Sequence, residues 1–291
     1  MTRIYAPAKL NLFLHVGEKR SDGFHELESL VTFTEAADIL SIEPAEKLSL
    51  NITGPFAGML GASPENLVLR AARALGSTRG AMLTLEKNLP VAAGIGGGSA
   101  DGAAALRGLN VHWGLGLSES DLAQIGAGIG SDIPACVWSR TLWMSGRGEV
   151  LTRLAPLPPL PLVLVNPRMP VKTRQVFSGL NTRTGMGAMD IPSRGLSSIW
   201  DLVDYLRDAS NDLEASACTL APVIDDVLEA IAHEPGCVLA QMSGSGATCF
   251  GIFQDGPWVS GAAERLAADH PEWWVRETRI AAPDFGVPRP D

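Results

Sequence analysis

The chain has 291 residues, of which 46% are hydrophobic and 19% are charged, a composition that is typical of a globular protein and excludes an intrinsically disordered one. Its net charge of −9 argues against a nucleic-acid partner, because proteins that bind polyanions normally carry an excess of Lys and Arg. No apolar run approaches the roughly 18 residues that a membrane span requires, and the first residues lack the apolar core of a signal peptide. We therefore predict a cytoplasmic protein with no membrane partner.

The cysteines and histidines give no sign of a metal centre. The four cysteines contain no Cys-x-x-Cys pair, and the five histidines show none of the spacings of a zinc site. We interpret the cysteines as core thiols rather than as a disulfide framework.

Alternating apolar and polar residues predict that the chain begins with strands. A first strand is expected over residues 10–16, with Lys9 and Asn11 sharing the face opposite its leucines. A turn is expected at Asp22 and Gly23. The further strands predicted for the first half lie at 27–33, 39–42, 48–52, 82–85, 141–144 and 150–154. The helices predicted there lie at 66–75, at 99–109 with Ser99 or Asp101 at its start, and at 118–125.

The proline-rich segment at 155–161 predicts a boundary, because proline cannot donate to a sheet and restricts the residue before it. We expect one domain over residues 1–155 and a second over 156–291. The strands predicted for the second half lie at 162–165, 238–242, 248–253 and 275–280. The helices predicted there lie near 172–179, 198–207, 212–218, 221–232 and 261–268. Strands and helices mixed in this way indicate an α+β protein.

The central motif is the glycine-rich segment at 89–101, which precedes the alanine-rich helix. Glycines leave backbone N–H groups uncovered, and a helix N-terminus adds unpaired N–H groups and the positive end of its dipole, so the segment is suited to phosphate. The segment lacks the Gly-Lys of a Walker A loop, and Ser99 stands where a dinucleotide-binding fingerprint needs glycine. The alternative is a plain glycine turn before a helix.

The segment Pro90-Val-Ala-Ala-Gly-Ile-Gly-Gly-Gly-Ser99 resembles the phosphate-binding motif of the galactokinase, homoserine kinase, mevalonate kinase and phosphomevalonate kinase (GHMP) superfamily. Its triple glycine is typical of the branch that acts on a cytidine-diphosphate-linked methylerythritol. Segments 7–14, 19–27 and 130–134 resemble further motifs of that branch, and segment 242–247 resembles the superfamily's C-terminal glycine motif. The resemblance implies a two-domain fold, with an N-terminal half like the second domain of ribosomal protein S5, a ferredoxin-like C-terminal half, and ATP and substrate in the cleft between them.

The resemblance implies Lys9 and Asp132 as the catalytic pair. Phosphoryl transfer needs a carboxylate near the attacking hydroxyl and positive charge near the transferring group, and these residues supply both. The alternatives are a turn or helix-cap aspartate and a lysine that protects a sheet edge. We expect Mg²⁺ to be held mainly by the phosphates, with Ser99 as a candidate contributor and no dedicated metal ligand in the protein.

The resemblance also implies the ligand contacts. Those expected for ATP are Pro90, Val91, Ala92, Ala93, Gly94, Ile95, Gly96, Gly97, Gly98, Ser99 and Ala100, with Asn66 and Lys87 near the adenine. Those expected for the substrate are Phe24, His25 and Phe177 around the cytosine and Asn11 at the sugar or erythritol portion. Gly244, Ser245 and Gly246 are expected to form a second backbone nest for phosphate.

Each of these contacts has a structural alternative. Asn66 fits a helix cap, Lys87 a solvated charge, and the phenylalanines fit the core. The glycines near 245 fit a plain hairpin turn. Asn211, which begins a further family-like segment at 211–214, is first interpreted as part of a helix cap with Asp212 and Glu214 in the opening turn.

The function implied is ATP-dependent phosphorylation of the 2-hydroxyl of the cytidylyl-linked methylerythritol, in the non-mevalonate route to isoprenoid precursors. Two alternatives stay open: another GHMP kinase of the mevalonate or homoserine type, and a non-catalytic nucleotide-binding protein of the same fold. Phe24 and His25 discriminate against the first, because a base pocket serves no purpose for those substrates. The retention of both Lys9 and Asp132 argues against the second. The oligomeric state is not predicted.

Overall fold

The computed structural model describes residues 1–60, 63, 65–180, 189–192 and 195–290. Its larger sheet has eight strands, ordered β12-β1-β3-β5-β4, with β2 and the β6–β7 pair joined to the other end of β3. These strands are β1 (Thr2–Asn11), β2 (His15–Lys19), β3 (His25–Glu43), β4 (Leu48–Thr53), β5 (Ala81–Glu86), β6 (Leu142–Gly146), β7 (Val150–Arg153) and β12 (Arg289–Pro290). Neighbours are antiparallel except β4 and β5, which run parallel.

The first two strand predictions were wrong in their extents. β1 ends at Asn11, because the backbone of Leu14 turns away to pair with a remote segment: Leu14 N donates to Ser210 O at 3.0 Å, and Asp212 N donates to Leu14 O at 2.9 Å. β3 runs unbroken for 19 residues, because β1 and β5 pair with one part of it and β2 and β6 with the other. The local alternation of apolar and polar residues does not reveal the segment that pairs with Leu14 or the strands that pair with β3.

Four helices belong to the first half of the chain: α1 (Leu67–Ala74), α2 (Gly97–His112), α3 (Glu119–Ala127) and α4 (Ile133–Trp138). α2 packs closely on the sheet, since a Cβ placed on Gly108 would lie 2.6 Å from the Cδ1 atoms of Ile4 and Ile42. α2 begins at Gly97, two residues before the earliest predicted start, with Gly96 in the left-handed conformation at its cap. α4 was not predicted, because it is only six residues long and follows a Gly-Ser-Asp segment typical of a turn.

The second sheet has four antiparallel strands in the order β11-β8-β10-β9. They are β8 (Pro161–Asn166), β9 (Cys237–Met242), β10 (Cys249–Phe253) and β11 (Trp274–Arg279). The helices of this half are α5 (Thr173–Ser178), α6 (Ile199–Leu206), α7 (Glu214–Leu220), α8 (Val223–His233) and α9 (Gly256–Asp269). The α+β class is confirmed, whereas the boundary at residue 155 stays a prediction.

The chain then returns from the second sheet to the first. Ala281 N donates to Phe33 O at 2.8 Å, the rings of Tyr5 and Phe285 lie 4.7 Å apart, and β12 pairs with β1 at Thr2 and Arg3. The buried Arg107 guanidinium of α2 also donates to Gly286 O at 2.9 Å. Segment 281–290 therefore forms part of the first half's structure.

Among the residues that the structure describes, no helix combines the length and the apolar character needed to cross a bilayer. All four cysteines are free thiols, in agreement with their interpretation from the sequence.

Candidate active site

The glycine-rich segment forms a concave turn that opens onto the N-terminus of α2. Gly94 and Gly96 have φ angles of 75° and 62°, which side-chain-bearing residues rarely adopt. The Ala100 amide donates to Gly96 O at 2.8 Å, which leaves the N–H groups of Gly97, Gly98 and Ser99 without acceptors inside the helix. We interpret these groups, together with the helix dipole, as an anion site at this end of α2, and its binding of phosphate stays a prediction.

Lys9 and Asp132 meet beside this anion site, with Lys9 Nζ 3.1 Å from Asp132 Oδ1. The lysine side chain is 6% exposed and the aspartate side chain 39%, so a ligand has access to the carboxylate. The Lys9 amide donates to Ile95 O at 2.9 Å, and a Cβ placed on Gly96 would lie 3.3 Å from Lys9 Cβ. The glycine at 96 therefore lets the lysine stem pass directly against the loop.

The structure contradicts two structural alternatives for this pair, the edge lysine and the helix-capping aspartate, whereas Asp132 does lie in a turn. Lys9 is buried and bonded to the carboxylate, unlike an edge lysine that protects a sheet from aggregation. Asp132 occupies the position before α4, but its side chain makes no capping hydrogen bond.

The second glycine segment packs against the first. Ser243 Oγ donates to Gly94 O at 3.3 Å and accepts from Asn11 N at 3.1 Å, while Thr248 N donates to Ala93 O at 3.1 Å. Within the segment, Ser243 N donates to Thr248 O and Gly246 N to Ser243 O, so it is also the hairpin turn between β9 and β10. The structure thus brings Gly244, Ser245 and Gly246 beside the anion site, and their role toward phosphate stays a prediction.

Gly94→Ala is expected to weaken the binding of ADP by about tenfold or more, because the substitution strains the loop. The new Cβ would lie 2.5 Å from Ser243 O and 2.7 Å from Gly246 O, so the two glycine segments must separate. Calorimetric titration with ADP measures the change. Gly114→Ala is the matched control, because Gly114 has a φ of 63° and no atom within 4 Å of a Cβ placed on it. If Gly114→Ala weakens ADP binding as much as Gly94→Ala does, the packing of the two segments is not the cause.

Phe24 directly precedes His25, the first residue of β3, and the His25 ring lies beside that of Phe177. His25 Nδ1 is 3.1 Å from Gly17 O, and its ring centroid is 5.8 Å from that of Phe177. Phe24 is 56% exposed, so its interpretation as a core residue was wrong. Phe177 is partly buried against the core of the second half and also faces His25, so both interpretations of it have structural support. Asn11 Nδ2 donates to Ser29 Oγ at 2.8 Å, which fixes its amide.

Asn66 and Lys87 behave differently from the loop residues. Asn66 Oδ1 accepts from Val68 N at 3.0 Å and caps α1, as the structural alternative predicted. Lys87 is 1% exposed and bonds to Asp38 and Asp101, so the solvated-charge interpretation was wrong. Its ammonium also lies 3.2 Å from a Cβ placed on Gly97, at the start of α2, and its expected place near the adenine stays a prediction.

The Asp38–Lys87–Asp101 ion triad joins β3, the segment before the glycine loop, and α2. Lys87 Nζ is 2.9 Å from Asp101 Oδ2 and also bonds to Asp38 Oδ2. Asp38 Oδ1 accepts from the backbone N–H groups of Asn88 and Leu89 at 2.6 and 2.8 Å. Burial raises the pKa of Asp101 to about 8, against the opposing effect of the Lys87 charge. Burial lowers the pKa of Lys87, but the two carboxylates outweigh that effect and raise it.

Two family models match the chain. The family model of the GHMP kinases N terminal domain matches residues 66–140, and that of the GHMP kinases C terminal matches residues 198–272. A 4-diphosphocytidyl-2-C-methyl-D-erythritol kinase from Cereibacter sphaeroides is 49% identical over 283 residues, covering 97% of this chain and 100% of the relative. The chain belongs to the 4-diphosphocytidyl-2-C-methyl-D-erythritol kinase family. A relative of the same name from Rhodospirillum rubrum is 45% identical and covers 97% of this chain and 94% of its own.

Solved structures agree with this family and with the two-domain GHMP kinase fold. A crystal structure of 4-(cytidine 5'-diphospho)-2C-methyl-D-erythritol kinase matches with a TM-score of 0.78 at 32% identity, covering 96% of this chain and 100% of that chain. A homoserine kinase from Cytophaga hutchinsonii matches with a TM-score of 0.68 at 17% identity, covering 99% and 96% of the two chains, and shows the shared fold alone. The family and fold predicted from the motifs are confirmed.

In this member of the 4-diphosphocytidyl-2-C-methyl-D-erythritol kinase family, the sequence did not predict the buried ion triad that packs against the glycine loop. Asp38 and Asp101 were not connected with Lys87, although a lone aspartate in an apolar strand is a signal of a buried ion pair. The helix-cap interpretation of segment 211–214 is confirmed in part, since Glu214 lies in the first turn of α7 and Asn211 Oδ1 accepts from Leu213 N, just before the helix, at 3.0 Å. The second role of Asn211 was missed: its Nδ2 donates to Met242 O and Gly244 O, each at 2.8 Å, and holds the second glycine segment.

Proposed function

We propose that this chain uses ATP to phosphorylate the 2-hydroxyl of 4-diphosphocytidyl-2-C-methyl-D-erythritol, a step of the non-mevalonate route to isoprenoid precursors. The observation that carries the proposal is the Lys9–Asp132 pair at the N-terminus of α2, in a chain 49% identical to a kinase of that name over nearly its whole length. The chain is an ATP-dependent small-molecule kinase, a phosphotransferase with an alcohol acceptor. We further propose that residues 1–155 and 156–291 are its two domains, with segment 281–290 of the second packed back on the first, and that it acts in the cytoplasm.

In the proposed reaction, the substrate 2-oxygen forms a bond to the γ-phosphorus of ATP, and the bond from that phosphorus to the β,γ-bridging oxygen breaks, releasing ADP. Asp132 accepts the proton of the attacking hydroxyl. Lys9 holds the carboxylate in place through its 3.1 Å contact and offers positive charge to the transferring phosphoryl oxygens. The N–H groups at the start of α2 hold the phosphates in line with the acceptor, and this positioning supplies most of the catalysis in such reactions.

The substrate's cytidine is proposed to bind at Phe24, His25 and Phe177. Phenylalanine rings stack on a pyrimidine, and a histidine ring can hydrogen-bond the edge of the base. Asn11, whose amide is fixed by Ser29, is proposed to contact the methylerythritol portion. For ATP we propose residues 90–100, while Asn66 contributes chiefly by capping α1.

Magnesium is proposed to accompany ATP. No group of three or more His, Cys, Asp or Glu residues suited to a metal ion occurs in the part of the chain that the structure describes. The chemistry of the site fits an ion carried mainly by phosphate oxygens and water, with the Ser99 hydroxyl in the first turn of α2 as the nearby protein oxygen. Such an ion would neutralise charge that develops on the phosphates.

A coupled assay of ADP release with Mg-ATP tests the function. Turnover is expected with 4-diphosphocytidyl-2-C-methyl-D-erythritol and not with mevalonate, homoserine or buffer alone. Turnover with mevalonate or homoserine instead would favour another GHMP kinase. ATP binding without turnover of any acceptor would favour the non-catalytic alternative.

A further inference from the structure

Two hairpin turns lie side by side at the end of the larger sheet that carries Phe24. β3 pairs with β2 through Val16–Leu27 and Lys19–His25, and with β6 through Leu27–Gly146. The register therefore places the β2–β3 turn, residues 20–24, beside the β6–β7 turn, residues 146–149. Arg147 Nη1 lies 3.7 Å from Asp22 Oδ2 and links the two turns.

The Arg147 guanidinium also lies over the ring of Phe24, with its Cζ atom 5.1 Å from the ring centroid. The Phe24 backbone is fixed by its own turn: its N–H donates to Asp22 Oδ1 at 3.1 Å, and its carbonyl accepts from Arg20 N at 2.7 Å. The side chain remains 56% exposed even with the guanidinium against it. Water-exposed phenylalanine has little to hold its ring in one orientation, and the cation–π contact supplies that restraint.

Arg147 is itself held in place by the turn that carries it. Gly146 and Gly148 have φ angles of 70° and 103°, and Glu149 Oε1 lies 3.6 Å from Arg147 Nε. The Glu149 carboxylate also accepts from the Arg147 backbone N–H. A Cβ at Gly146 would lie 2.7 Å from that carboxylate, so glycine is required there for Glu149 to reach the arginine. The Arg147 side chain is thus held by Glu149 on its own turn and by Asp22 on the neighbouring turn.

We propose that Arg147 is a positioning residue for the cytidine end of the substrate. It orients the Phe24 ring for stacking on the pyrimidine of the substrate. This inference rests on the proposed function and adds a residue to which the sequence motifs assign no role. Because Arg147 acts through Phe24, its replacement is expected to affect the cytidylyl substrate and not ATP.

The test compares Arg147→Gln and Arg147→Lys with the wild-type protein in the ADP-release assay. We expect Arg147→Gln to raise the KM for 4-diphosphocytidyl-2-C-methyl-D-erythritol by about two- to fivefold, the size of an exposed cation–π contact. Values of kcat and of the KM for ATP are expected to stay unchanged, and Arg147→Lys to restore part of the loss. Arg207→Gln is the control, because Arg207 is more exposed than Arg147, at 71% against 43%, and pairs only with Asp204 among the described residues.

A second measurement separates this inference from the proposed function. Calorimetric titration with cytidine 5'-diphosphate measures binding at the proposed cytidine site without any turnover. Together with the wild-type protein and Arg147→Gln, the Phe24→Ala variant and the Phe24→Ala, Arg147→Gln double variant complete a double-mutant cycle. We expect Arg147→Gln to weaken binding only when Phe24 is present. An effect of equal size in the Phe24→Ala background, or no effect in either background, would overturn the role of Arg147. Arg147-dependent binding by a protein that phosphorylates no acceptor would support this inference while overturning the proposed function.

Discussion

Asp132→Asn is expected to lower kcat by about a hundredfold or more while changing the KM values for both substrates little, because an amide cannot take the proton of the attacking hydroxyl. The Asp132 side chain is 39% exposed and makes no helix-capping bond, so its replacement is not expected to unfold the protein. Steady-state ADP release measures kcat, and thermal unfolding verifies that the variant is folded.

The matched control for this variant is Asp208→Asn, an exposed aspartate after α6 whose replacement should leave kcat unchanged. If Asp132→Asn retains more than about a tenth of the wild-type kcat, Asp132 is not the base, and positioning by the loop and α2 must carry the reaction. Retained binding of ADP by the inactive variant would place the loss in the chemical step rather than in nucleotide binding.

Lys87→Met is expected to lower the free energy of unfolding by about 3–5 kcal/mol, the loss that follows when one partner is removed from a buried ion pair. Methionine matches the lysine stem but leaves Asp38 and Asp101 buried with no cation between them. Burial already raises the pKa of Asp101 to about 8 in the presence of the lysine, so its charged form is costly in this position. Urea unfolding monitored by circular dichroism measures the change.

Lys47→Met is the control for this second variant, because Lys47 is exposed. A loss of less than about 1 kcal/mol in Lys87→Met would mean that the triad contributes no more than a surface pair. Because Asp38 also holds the amides of Asn88 and Leu89, just before the glycine loop, a folded Lys87→Met protein is further expected to bind ADP more weakly.

Motif order and local patterns were sufficient to predict the family, the α+β class and most elements. The glycine run before an alanine-rich segment led to the prediction of a phosphate site, which stays a prediction, and alternation together with the proline-rich segment indicated two α+β halves. The juxtaposition of Lys9 with Asp132, implied by the family resemblance, agrees with the 3.1 Å contact between them. These features are local in sequence, or belong to motifs that recur as a set.

Apart from the short helix α4, the main features that were not predicted depend on contacts between distant segments. Lys87 has no neighbour in sequence that explains its burial, because Asp38 lies in another strand. The strand prediction ran past Asn11 because Leu14 pairs with residues near 211, nearly 200 positions away. Arg147 and Phe24 come together only through the register of β3 with both β2 and β6. Side-chain chemistry alone does not encode such register.

The pairing of β12 with β1 has a consequence for biosynthesis. The strand β1 has its outer edge, at Thr2 and Arg3, covered by residues 289 and 290, which leave the ribosome long after it. Until then the nascent chain presents an open strand edge, the kind of surface on which two incomplete chains can pair with each other. The first half can assemble its sheet during translation, but its protection against such pairing is completed only after the second half has been made.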